Sequence, residues 1–377
     1  MNIIACKVNH LKNPLGYHME HVTFSYVVEQ AKGKKQTAAR IRVYTDKECK
    51  NVIYDSGLSS QISSIAYTIK IELAPCTRYY WNVEVHSDAG EEAVSSLNWF
   101  ETAKQDEPWA AKWITCDSKE ARHPIFSNEL LLEGKVASAR LYICGLGLYE
   151  VYLNGKKIGC EFMTPYSNDY QSWLQYQTYD ITEDLERKNH ISVLLGNGWY
   201  KSPFGLTASR TGEPAYSGNW KLIAEIHVLY EDGRHETFGT DENWMVSRSN
   251  ILASGIYDGE TEDATLTEEE PVSAELCTEE MAPLVARYSV PVSVHEELTV
   301  KDIIVTPAGE TVIDLGQNMA GTFRLRTHVP RGTRVHLQFG EVLQNGNFYR
   351  GNLRLAKAEY IWVSDGNEHI LQPHFTF

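Results

Sequence analysis

Helical periodicity is almost missing from this sequence of 377 residues. Segment after segment alternates polar with apolar residues, or runs apolar briefly, and then breaks at Gly, Asn or Asp. Such a pattern offers no amphipathic helix for a bundle and reads instead as strands. No stretch approaches the ~20 apolar residues that a membrane-spanning helix needs. Positive charge is scarce too. Lys and Arg number 35 against 50 Asp and Glu, a formal net charge of −15. That balance argues against a nucleic-acid partner, whose phosphates want a basic face, and against an anionic membrane surface. No export signal is expected from the amino-terminal residues, because the short apolar run Ile3-Ile4-Ala5-Cys6 meets Lys7 and His10 at once. Cysteines stand singly at 6, 49, 76, 116, 144, 160 and 277, an odd number with no CxxC pair. They read as reduced, mostly buried thiols in a cytoplasmic protein.

What the chain does have is aromatics, 11% of residues, with 21 Tyr and 9 Trp. Aromatic residues favour strands and also supply flat faces for sugar rings. The length predicts two or three domains. Strands are expected at residues 22–28, 39–44, 78–85, 139–143, 149–153, 191–195, 221–229, 311–315 and 334–339. Three hairpins carry their own turn residues: Asn154-Gly155, Asp232-Gly233 and Asn345-Gly346. The first fits a type I′ turn, whose two central residues both need positive φ. The expected class is all-β, with tandem β-sandwiches: residues 1–104, 105–290 and 291–377. A polar connector after Ala103 marks the first boundary. The acidic run 261–270 and the irregular stretch 279–291 mark the second, and the run reads as a solvated linker or loop.

The block Leu73-Ala74-Pro75-Cys76-Thr77-Arg78-Tyr79-Tyr80-Trp81 followed by Trp99-Phe100-Glu101-Thr102 looks like a fibronectin type III module. In such sandwiches a Tyr near the start of a late strand hydrogen-bonds back to the preceding corner, and Tyr79 fits that role. From residue 109 onward the punctuation resembles the bacterial α-L-rhamnosidases of glycoside hydrolase family 78. The resemblance rests on Trp109-Ala110-Ala111-Lys112-Trp113, Gly145-Leu146-Gly147-Leu148-Tyr149-Glu150, Leu153-Asn154-Gly155 and Thr164-Pro165-Tyr166. It continues through Leu195-Gly196-Asn197-Gly198-Trp199-Tyr200, Tyr257-Asp258-Gly259-Glu260, Asp314-Leu315-Gly316-Gln317-Asn318, Phe339-Gly340-Glu341 and Asn352-Leu353-Arg354. One departure is that Glu260 leads into Thr261-Glu262-Asp263-Ala264-Thr265, without the Arg of the family pattern. The resemblance implies a jelly-roll-like middle domain and a partial third sandwich. It also implies a catalytic (α/α)6 barrel after a segment like Pro373-His374-Phe375-Thr376-Phe377. By that resemblance the barrel would supply the catalytic carboxylates, and none of it is expected within these 377 residues.

Inverting hydrolysis needs two carboxyl groups with room for a water between them, one kept protonated by a partly apolar cleft. Asp258 with Glu260, or Asp314 with Glu341, can be drawn as such pairs. Short loop carboxylates usually stay solvated, so no catalytic residue is assigned. The chain has no G-x-S-x-G nucleophile turn, no dinucleotide fingerprint after Gly145-Leu146-Gly147 and no cluster of Cys and His for zinc.

Sugar binding has better candidates. The segment 166–173 gathers rings, amides and a carboxylate, with Tyr166, Asn168 and Asp169 as the leading residues, and Trp199 and Tyr200 offer a second set. The alternative is that Trp199 and Tyr179 are core aromatics. The resemblance adds calcium on this domain, for which Asn168 and Asp169 are the candidate ligands. In the third domain Asp314, Gln317, Asn318 and Glu341 read either as turn residues that satisfy backbone groups or as contacts facing the barrel. The expected function is therefore the non-catalytic front portion of an α-L-rhamnosidase. Its partners would be rhamnose-containing glycans or glycosides and the missing barrel. A free-standing, lectin-like sugar-binding protein is the alternative, and a purely structural sandwich is a third.

Overall fold

The computed structural model describes residues 1–117, 122–203, 211, 213, 216, 218–267 and 269–376. Almost every element is a strand, as the periodicity predicts. The chain divides into two compact units. One is Met1–Pro108 with Val285–Tyr288, and the other is Trp109–Leu284 with Ser289–Phe377.

The first unit is a two-sheet sandwich. Asn2–Val8, Val22–Glu29 and Tyr67–Ile69 form one sheet. Leu15–Tyr17, Asn98–Thr102, Arg78–Ser87, Gln36–Tyr44 and Val52–Asp55 lie in that order in the other, with Glu92–Val94 beside Arg78–Ser87. Arg78–Ser87 alternates half-buried and buried along its whole length. The alternation arises because successive side chains point to opposite faces of a strand. Its inward residues Tyr79, Trp81, Val83 and Val85 meet Phe24, Ile41, Val43 and Phe100 in one core, and the rings of Trp81 and Phe24 stand 4.5 Å apart. Tyr79 does what its position predicts. Its ring stacks on Phe100 at 5.3 Å, and its hydroxyl accepts the Ala74 N–H at 2.8 Å.

The second unit also begins as a sandwich. In one sheet Glu275–Leu276, Ile114–Thr115, Lys221–Tyr230, Val136–Leu146 and Leu174–Asp180 lie in that order. The facing sheet runs Lys156–Lys157, Leu148–Leu153, Lys188–Gly196, Pro124–Leu131, Met245–Arg248 and Val272–Ser273. Ile143, Leu141, Val151, Val193, Leu195, Leu222 and Phe126 fill the space between. The Leu148–Leu153 hairpin turns at Asn154 and Gly155 with φ of 53° and 78°, both positive as a type I′ turn requires. Asn345 and Gly346, at 52° and 79°, do the same between Val342–Gln344 and Asn347–Tyr349.

The acidic run 261–270, expected as a linker or loop, begins as a strand. Ile251–Gly255 and Gly259–Asp263 form a hairpin that shares a four-stranded sheet with Glu359–Val363 and Arg334–Gln338. Gly259–Asp263 pairs in parallel with Glu359–Val363, one hundred residues on. The acidic side chains are used there: Glu262 accepts from Asn250 Nδ2 at 2.6 Å and from the Tyr360 hydroxyl at 2.8 Å. The remaining pairs, Asp302–Val305 with Thr311–Asp314 and Leu325–His328 with Glu368–Leu371, stand outside that sheet.

A fragment of residues 1–104 is expected to fold alone. Its amide spectrum should be well dispersed, and Trp81→Ala should cost it about 3–5 kcal/mol in denaturant unfolding, the range for removing a buried aromatic side chain. A collapsed spectrum would show that the sandwich needs residues outside this range.

Candidate functional site

The loop 164–173 enters through Tyr166, which holds positive φ (71°). The Tyr166 ring is buried. Its hydroxyl donates to Glu161 and accepts the Val292 N–H at 3.0 Å, so this residue anchors the loop. Asn168 is also buried. Its carbonyl oxygen takes the Gln175 N–H at 3.0 Å, while its buried amide nitrogen has no hydrogen-bond partner. A buried polar group without a partner costs about 1–3 kcal/mol, and the cost is removed when something polar reaches it. Asp169 faces solvent. Its carboxylate accepts the Gln171 N–H at 3.3 Å and the Ser172 hydroxyl at 2.9 Å, and its main-chain carbonyl accepts from the N–H groups of Ser172 and Trp173. The loop thus shows solvent a polar edge of Ser167, Asp169, Gln171 and Ser172.

Beneath that edge lies a group of tyrosines. The Tyr170 ring meets Tyr200 at 5.0 Å and Tyr216 at 4.8 Å. Tyr200 is buried, and its hydroxyl accepts from the Lys221 ammonium at 3.3 Å. Lys221 is itself buried and pairs with Glu279 at 3.0 Å. The short helix Gly198–Lys201 sends its two aromatics different ways, since consecutive residues on a helix do not share a face. Tyr200 joins the loop through Tyr170. Trp199, half-buried, packs against the apolar group of Leu148, Leu194, Ile251, Ile256 and Phe375. Tyr170 and Tyr200 are therefore brought together, with the Asn168 side chain turned to Gln175 just beyond the loop, while Trp199 goes to a neighbouring cluster. Tyr179 lies in the main core, 3.2 Å from the Tyr149 hydroxyl. As placed, Asn168 and Asp169 offer three side-chain oxygens, short of the six to eight that calcium takes. Among the described residues no group of three His, Cys, Asp or Glu includes Asp169.

The third-domain candidates sit apart from this loop in sequence, and only Asp314 caps its own turn. Asp314 ends Thr311–Asp314, and its carboxylate accepts the Gly316 N–H at 2.7 Å. Glu341 is exposed and takes the Asn352 amide at 2.8 Å. Gln317 and Asn318 are exposed outside any strand. On the same strand pair Ile303 and Val305 are 62% and 73% exposed, which leaves an apolar strip uncovered.

The strongest electrostatic cluster is one that sequence reasoning passed over. Glu260, expected to be solvated as a loop carboxylate, is 2% exposed and accepts the N–H groups of His374 at 3.1 Å and Phe375 at 2.9 Å. Glu150 is buried in the other sheet. It holds the His374 imidazole at 2.7 Å, the Tyr152 hydroxyl at 2.5 Å and the Lys157 ammonium. Glu150 stood inside a recognised motif, but nothing local announced its partner, 224 residues away.

Two β-sandwiches followed along the chain by a four-stranded sheet and separate strand pairs describe the class. Comparison with known proteins narrows it. Residues 3–106 match the family model described as Rha78A-like, N-terminal immunoglobulin domain. Residues 134–306 match the alpha-L-rhamnosidase N-terminal domain, and residues 304–377 the bacterial alpha-L-rhamnosidase concanavalin-like domain. An alpha-L-rhamnosidase of Streptomyces avermitilis is 34% identical over 257 residues, 64% of this chain and 25% of that protein. One from Formosa agariphila is 29% identical over an alignment covering 98% of this chain and 44% of that protein. The solved alpha-L-rhamnosidase of Dictyoglumus thermophilum superposes with a TM-score of 0.85 at 27% identity, across 100% of this chain and 46% of that one. The three segments of this chain thus match N-terminal β domains of alpha-L-rhamnosidases, and the chain spans less than half the length of these relatives.

Burial separates the candidates by what their removal should do. Tyr200→Ala is expected to cost about 3–5 kcal/mol in thermal or denaturant unfolding. Asp169→Ala should cost about 1 kcal/mol or less, the net value of an exposed turn hydrogen bond. Equal costs would contradict the placement of Tyr200 beneath the loop.

Proposed function

We propose that this chain is the substrate-positioning, non-catalytic part of an α-L-rhamnosidase, and that the loop 166–173 over Tyr170 and Tyr200 reads terminal rhamnose. The observation that carries this reading is the buried, unpartnered amide of Asn168, in a loop whose outer edge is polar and solvent-facing and whose Tyr170 meets Tyr200. A sugar offers what such a place lacks: hydroxyls for the amide and the Asp169 carboxylate, and an apolar ring face for an aromatic. The relatives' shared name, alpha-L-rhamnosidase, supports rhamnose as that sugar. The third domain, where Asp314 ends the strand pair that exposes Ile303 and Val305, is assigned the contact with a catalytic barrel, with Gln317, Asn318 and Glu341 as further exposed polar candidates. A polar rim around apolar area is the usual composition of such an interface.

No hydrolysis is assigned to these residues. A single shallow monosaccharide site should bind near millimolar, about −4 kcal/mol, which a few solvent-competed hydrogen bonds of about 1 kcal/mol each can supply. Calorimetric titration of the intact chain with L-rhamnose, with and without calcium, should show weak binding. Asp169→Ala should weaken it severalfold while lowering the melting temperature by no more than about 2–4 °C. The same protein should release nothing from an aryl α-L-rhamnoside. No heat at tens of millimolar rhamnose would overturn the binding assignment. Enzyme-dependent release that disappears in Asp314→Asn or Glu341→Gln would overturn the non-catalytic one.

A further inference from the structure

The stretch His374–Thr376 belongs to no strand, yet it is held tightly. Three separate contacts do this. Glu260 receives its backbone, two successive N–H groups that would otherwise go to a neighbouring strand. Glu150 receives the His374 imidazole. The Phe375 ring, 1% exposed, fills a socket of Leu148, Leu194, Ile251 and Ile256. The socket floor is Gly196, where a Cβ would lie 2.3 Å from the ring. Buried His123 closes it at 6.2 Å, edge to face.

We infer that Glu150 and Glu260 form a two-carboxylate seat that holds the 374–376 segment only while His374 carries its proton. The seat places two buried acids around one imidazole, so its charge balance depends on that ring. Facing it are Glu150 and Tyr152 from Leu148–Leu153, and Lys157 from the next strand. Glu260 and Glu262 come from Gly259–Asp263, Tyr360 from Glu359–Val363, and His123 from the far side. Of these Lys157 is the other cation, since burial drives His123 down to about 3 and keeps it neutral.

The titration of the groups agrees with the geometry. Burial alone would lower His374, but the hydrogen bond and charge of Glu150, with Glu260 and Glu262 behind it, raise it to about 9. Burial would raise Glu150, and His374 and Lys157 bring it down to about 2 instead. Glu260 is pushed up to about 7, chiefly by burial. The sign follows from linkage. His374 is raised above its ordinary 6.5, so its contribution is complete below that pH and is lost as pH rises through about 9. Glu260 works in the same direction, since it stays neutral in the seat up to about 7 and adds a second negative charge beyond. Above about 9 two buried carboxylates share a single ammonium, and the segment loses its hold.

Hydrogen exchange at the His374 and Phe375 amides of the intact chain reads the seat directly. Rates are compared with those of an unstructured peptide of residues 371–377, to remove the intrinsic pH dependence. Protection should hold to about pH 7 and fall at least tenfold by pH 10, while amides in Lys188–Gly196 keep theirs. In His374→Gln, protection should already be low at pH 6 and show no step. Glu150→Gln, with the Lys188–Gly196 amides as the control for folding, should behave alike. Constant protection across the range would overturn the seat, and so would loss in parallel with the core amides. A wild-type profile in His374→Gln would do the same.

Discussion

The second unit depends on one close approach between backbones. Gly259 sits at φ 100°, and a Cβ there would lie 1.7 Å from the Glu359 carbonyl oxygen. Only glycine satisfies both demands. With glycine in place, Gly259–Asp263 lies parallel to Glu359–Val363 over five residues. The side chains on either flank then become useful. Glu262 reaches the Tyr360 hydroxyl, and Glu260 turns inward to meet the backbone of His374 and Phe375. A bulkier residue at 259 would separate the strands and remove the acceptor that seats 374–376.

The same strand explains why charge is found inside a protein that has charge to spare. Burying a carboxylate is expensive unless hydrogen bonds and an opposite charge compensate it. Glu150 has three partners of complementary type, and Glu260 has two backbone donors with an imidazole nearby. Removing one member leaves the others uncompensated, so the cluster acts as a unit. The tyrosine group under loop 166–173 differs. There the Asn168 amide is buried without a partner, and the proposed sugar contact rests on that group.

Much of the architecture was legible because its causes are local. Asn154-Gly155 and Asn345-Gly346 name their turns regardless of what surrounds them. Tyr79 needs only its own corner. Alternation across 78–87 gives both the strand and its buried face. The site residues were harder to read because their roles depend on distant partners. Tyr200 and Trp199 are adjacent and chemically alike, yet one lies under the loop and the other packs beside Phe375. Nothing in a six-residue motif distinguishes them. Glu260 looked like a solvated loop acid because its strand partner lies a hundred residues on, and Glu150 was hidden for the same reason.

The central claim is that this chain reads a sugar through the loop 166–173 and leaves hydrolysis to another domain. A crystal structure of the intact chain grown with saturating L-rhamnose tests it most directly. The account predicts a pyranose on that loop, with hydroxyls within hydrogen-bond distance of Asn168 Nδ2 and the Asp169 carboxylate. A loop without sugar beside an occupied site elsewhere would contradict it, as would rhamnose lodged between Asp314 and Glu341.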